Sequence, residues 1–94
     1  MSQLSQHEEF APYVGKRFSF EGQPVVLVLA KVEAQAAGYS GRTPFILIFH
    51  GPAGDVLPEG LHTAQIEGGP FTAFYVAPIH TVARDRQEYQ AVFN

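Results

Sequence analysis

Four histidines, His7, His50, His62 and His80, are the side chains of this sequence best suited to chemistry. Of these, His50 and His62 flank one loop and His80 lies in another. Three imidazoles brought to one end of a domain would make a metal site with an open position. A plainer structural account fits the same residues. His50 ends an apolar run at a Gly51-Pro52 turn, His62 falls at a half-buried strand position, and His80 belongs to a polar connection. The plainer account is preferred, so no metal and no cofactor are expected. A second grouping joins Tyr39 and Arg42, from a small-residue loop, to His50 and His62 as one end of a small-molecule-binding or catalytic barrel. The carboxylates Asp55, Glu59, Glu67, Asp85 and Glu88 all fall in or beside turns, where solvation accounts for them. General acid-base catalysis needs two such groups converging on a cleft. No catalytic residue is assigned, and the chain reads as a non-enzyme.

Motifs and charge narrow the field further. The sequence has no Gly-x-Ser-x-Gly elbow, phosphate loop, dinucleotide fingerprint, His-Glu-x-x-His or calcium loop. With no cysteine, thiol catalysis and cysteine-bound zinc drop out. The net charge is −3, and Lys16, Arg17, Lys31, Arg42, Arg84 and Arg86 are scattered. Phosphate binding draws on clustered cations, so nucleic acid is not an expected partner. The first nine residues lack a charged start followed by an apolar run, and no apolar stretch approaches a membrane span. A cytoplasmic address is expected, unless a dedicated system exports the protein without a cleaved signal.

The elements that would position these residues are short and apolar. Phe45 to Phe49 is an unbroken apolar run enclosed by Pro44 and by Gly51-Pro52. Proline spacing leaves too little length for a helix, and β-branched and aromatic residues favour a strand. Phe45, Leu47 and Phe49 then share one face, with Phe18, Leu27, Phe74 and Phe93 as expected neighbours, while Ile46 and Ile48 share the other. Ser5-Gln6-His7-Glu8 has the form of a capping box and predicts a short helix within 5–14, burying Phe10, Tyr13 and Val14. Strands are predicted over 16–20, 25–32, 44–50, 61–67, 71–77 and 87–94, with turns at Glu21-Gly22-Gln23-Pro24 and Gly68-Gly69-Pro70. The expectation is a single all-β domain spanning 1–94: a short N-terminal helix, then a small antiparallel barrel or sandwich of about six strands over 16–94.

Apolar residues make up 46% of the chain and charged residues only 16%, below the ~25% usual for globular proteins. Three strands are apolar on both faces, and one short helix is too little to cover the surplus. An interaction surface is therefore expected at Val26, Val28, Ile46 and Ile48, joined by Tyr39 and Arg42. It would work in a homo-oligomer or a complex with another protein, through strand faces and through edges by β-augmentation.

The order Phe10-x-Pro12-x-Val14-Gly15-x-x-Phe18, Pro44-Phe45-x-Leu47-x-Phe49-x-Gly51-Pro52, Leu57-Pro58-x-Gly60, Val76-x-Pro78-Ile79 and Tyr89-x-Ala91-Val92-Phe93-Asn94 resembles a family of small bacterial domains of unknown function. The likeness spans nearly the whole chain. It implies no activity and no site residues. Members of that family are associated with phage-tail-collar-like proteins, which implies an accessory or assembly role beside a fibre protein. The segment 80–86 departs from the longer polar turn common in the family, so a function placed in that turn does not carry over.

Overall fold

The computed structural model describes residues 4, 6–34 and 44–93. Within them the chain forms α1 (His7–Phe10), a single 3-10 turn (Ala11–Tyr13) and six strands: β1 (Arg17–Phe20), β2 (Val26–Ala34), β3 (Phe45–Gly51), β4 (Gly60–Ile66), β5 (Phe71–Ile79) and β6 (Gln87–Phe93). All pairings are antiparallel. The strands close on themselves in the order β1-β2-β3-β6-β5-β4, so of the two all-β architectures expected the barrel is the one formed. The seam is made by β1 and β4, with Phe18 opposite Ile66 and Phe20 opposite Ala64.

Closure follows from where the phenylalanines fall. Phe18 and Phe20 of β1, Phe45 and Phe49 of β3 and Phe74 of β5 all sit at alternate strand positions and are buried. One interior holds them. Phe49 lies parallel to Phe74 with centroids 5.8 Å apart and meets Phe18 edge-on at 5.0 Å, while Phe45 stacks on Phe93 at 4.5 Å. The expected neighbours of β3 are thus the observed ones, with Leu27 also fully buried. Edge-on and offset rings fill a barrel without the quadrupole repulsion of face-to-face sandwiches.

A bulge in β2 resolves an apparent conflict in the sequence. Strict alternation from Leu27 and Leu29 would turn Lys31 inward. Instead Leu29 pairs with Phe49 and Lys31 with Ile48, leaving Ala30 as the extra residue. After it Val32 packs against the core while Lys31 and Glu33 face out. One inserted residue bends the strand at a barrel corner and re-aims every side chain beyond it.

Both ends of the barrel are plugged from within the chain. At the end where β3 starts and β6 finishes, Phe10 is fully buried against Phe45, Phe74 and Phe93. There the backbone N–H of Leu4 donates to the buried hydroxyl of Thr72 at 3.2 Å. At the opposite end the 52–59 connection inserts Leu57, also fully buried.

Three local expectations are corrected. The helix begins one residue later than the Ser5 cap implies, because Gln6, in an extended conformation, is the N-cap and its N–H donates to Glu9 Oε1 at 3.0 Å. Ser5 itself lies outside the described residues. Val14 is exposed and not part of the buried stripe, since Pro12 tightens the last turn to 3-10 geometry and the chain leaves it extended. Pro78 does not stop β5, which runs on to Ile79. Beyond Val76 β5 has no β4 partner, so a proline there removes no ladder bond on that side.

Candidate functional site

The two histidines proposed to share a site lie on opposite sides of the barrel wall. His50 alternates with the buried Phe49 and faces outward, where its Nε2 is 3.7 Å from Glu88 Oε2. His62 faces the interior side with Ala64 and Ile66; its ring meets Phe20 edge-on at 5.9 Å and its Nε2 lies 2.7 Å from the Pro58 carbonyl, to which it donates. His80 is exposed in the β5–β6 connection. Among the described residues no three His, Asp or Glu side chains are grouped to hold a metal ion. Tyr39 and Arg42 lie outside the described residues, and the flanking Ala34 and Phe45, paired with each other, stand at the end of the barrel away from His50 and His62.

What gathers around His50 is a rim network. A single Glu88 oxygen, Oε2, accepts from Arg86 through both Nε at 2.9 Å and Nη2 at 2.8 Å, two charge-assisted bonds on one atom. The Glu88 backbone N–H donates to Thr81 Oγ1 at 2.9 Å, and the Thr81 hydroxyl donates to the Ile79 carbonyl at 2.9 Å. Gln87 adds a side-chain N–H to the same carbonyl at 2.9 Å. These bonds run between strand ends and the 80–86 connection, so they hold the connection against the rim; the arginine and carboxylate are spent on each other.

The outward residues expected to form the interaction surface are outward, with limited exposure. Ile46 and Ile48 are half-buried, and Val26 and Val28 are marginally exposed. The β2 bulge places Lys31 opposite Ile48 and Glu33 opposite Ile46, and the two charges pair at 3.3 Å along that row. Polar groups border what the sequence presents as a bare apolar face.

The larger apolar exposure is elsewhere, on the outer wall of β4 and β5, where β5, a strand apolar on both faces in the sequence, lies beside Leu61 of β4. Leu61 is 73% exposed and sits directly opposite Tyr75, itself 52% exposed; Phe71, 44% exposed, lies further along opposite Gln65. The signal in the sequence is the odd-numbered set of β5, Phe71, Ala73 and Tyr75, which the buried Thr72, Phe74 and Val76 assign to the outside. The Tyr75 hydroxyl donates to Glu59 Oε2, and this bond, with the nearby negative charge, raises the tyrosine's pKa above its ordinary value. Beside Phe71 a depression of about 230 Å³ is lined by Ser19, Phe20, Glu21, Thr63, Gln65 and Phe71 and straddles the β1–β4 seam.

Among the described residues every strand has a neighbour on both sides, so pairing through an edge could use only the part of a strand that its neighbour leaves uncovered.

An aromatic-filled interior, plugs at both ends and an outer wall with exposed apolar side chains define a small closed antiparallel β-barrel domain. The chain belongs to the family described as Domain of unknown function (DUF6916), whose model matches residues 5–93. Comparison with curated proteins and with solved structures returned no match. No helix among the described residues is long and apolar enough to cross a membrane.

Proposed function

We propose that this domain is a non-enzymatic protein-interaction or assembly module. One observation carries the reading: the outer wall of β4 and β5 exposes Leu61, Tyr75 and Phe71 on a barrel whose interior is already filled by its own phenylalanines. Exposed apolar groups gathered on one face mark recognition surfaces. The half-covered residues Val26, Val28, Ile46 and Ile48 form a lesser second face, and Tyr39 and Arg42 add residue types suited to contact. The partner is a second copy of the chain or another protein; the resemblance drawn from the sequence points to a fibre-like or tail-collar-like protein of a bacterial system, met in the cytoplasm during assembly.

Sedimentation velocity of the purified protein over a range of concentrations, with affinity capture from the native cell, tests this. Leu61→Ser is expected to weaken the association found. A strictly monomeric protein that captures nothing overturns the reading.

A further inference from the structure

The depression beside Phe71 deepens the interaction reading, on which it rests, by pointing to the chemistry of the partner. Its volume, about 230 Å³, falls below the ~300 Å³ at which small-molecule pockets begin, and suits one long side chain. It is lined by three polar residues, Ser19, Thr63 and Gln65, by the acidic residue Glu21, and by Phe71, whose ring is exposed. Within the described residues Glu21 makes only a backbone contact, its N–H donating to the Thr63 carbonyl at 2.9 Å.

Charge decides between occupants. Strands β1, β4 and β5 carry one cation on their outer wall, Arg17, whose guanidinium lies 3.8 Å from Glu67. The remaining charges around the apolar residues are the carboxylates of Glu21 and Glu59, the latter bonded to Tyr75. Two copies joined face to face through this wall would bring those carboxylates toward each other, which costs affinity. A cation is complementary. It would sit against the Phe71 ring with its charge at Glu21, combining cation–π attraction with an ion pair.

We propose that this depression receives an arginine or lysine side chain of a partner protein, flanked on the partner by apolar residues that cover Leu61 and Tyr75. The stem lies along Phe71, the charge meets Glu21, and Thr63 and Gln65 accept remaining donors.

The test titrates the ¹⁵N-labelled chain with acetyl-Leu-Arg-Leu-amide and with the same peptide carrying citrulline, which keeps the shape and removes the charge. The arginine peptide is expected to shift the amides of Glu21, Thr63, Gln65 and Phe71 and to bind about threefold more tightly than the citrulline peptide. Glu21→Gln should erase that preference while leaving the urea midpoint unchanged, since Glu21 is exposed. Equal binding of the two peptides, shifts centred elsewhere, or no shift at millimolar peptide overturns the proposal. A captured protein partner lost on Leu61→Ser but indifferent to Glu21→Gln would sink the pocket and leave the interaction module standing.

Discussion

The hydroxyl of Tyr89, on a side chain wholly buried at the middle of β6, accepts the backbone N–H of Leu57 at 2.8 Å and donates toward the Asp55 carbonyl at 3.5 Å. A single atom thus tethers the 52–59 connection while Leu57 plugs the barrel. Tyr89→Phe keeps the ring and strands the Leu57 N–H, and a buried unsatisfied donor costs about 1–3 kcal/mol. Urea denaturation should show that loss, and amide exchange should localise it to Leu57.

Next to Tyr89, Gly51 has no room for a side chain. A Cβ there would lie 2.5 Å from Leu27 Cδ2 and 3.2 Å from Tyr89 Cε1. Gly51→Ala is expected to destabilise by about 1–3 kcal/mol through overpacking. Leu27→Ala in the same chain should relieve part of that penalty; strictly additive losses in a double-mutant cycle would contradict the contact.

Phe10 is the plug at the other end. Phe10→Ala removes a ring buried against three phenylalanines and is expected to cost about 3–5 kcal/mol, a large part of the ~5–15 kcal/mol typical of a domain. Val14→Ala, at an exposed position four residues on, should change the urea midpoint little.

On the β4–β5 wall stability and association should separate. Leu61→Ser alters a 73% exposed residue and is expected to shift unfolding by no more than about 0.5 kcal/mol. The same substitution should reduce the sedimentation coefficient of any self-associated form or the yield of captured partner.

Tyr75 gives a pH signature. Its pKa is raised from 10.0 first by the hydrogen bond to Glu59, then by desolvation, then by the Glu59 charge. The folded state therefore favours the protonated phenol. The stabilisation is fully present below pH 10 and is lost as pH rises through the raised folded value. Ring ¹³Cζ NMR should show Tyr75 titrating late, and Glu59→Gln should bring it back toward its ordinary value; unchanged titration in that variant would contradict the assignment.

The barrel was legible where neighbouring residues carry the information. Phe45 to Phe49 between prolines declares a strand, and the alternation in β6 of Tyr89, Ala91 and Phe93 declares its inner face. Features set by distant contacts were not. Nothing local at Ala30 announces a bulge, because the cause is the need to keep Val32 inside and Lys31 outside once β3 is alongside. Leu57 sits in a stretch rich in turn residues and is buried only because a barrel mouth lies beneath it. The apolar outer wall is half legible: β5 reads as apolar on both faces, but only strand pairing sets Leu61 against Tyr75. The histidines show the same limit: spacing suggested convergence, and strand parity put His50 and His62 on opposite sides of one wall.

The β1–β4 seam joins segments far apart in sequence, whereas β1–β2 and β4–β5 pair across short turns. Chain entropy opposes such distant pairing until the nearer hairpins have formed. The seam, like the equally long-range β3–β6 pairing, is then expected to fasten after the β1–β2 and β4–β5 hairpins. Anything bridging Ser19 and Glu21 on one side to Thr63 and Gln65 on the other would act as a clasp, slowing unfolding more than it speeds folding.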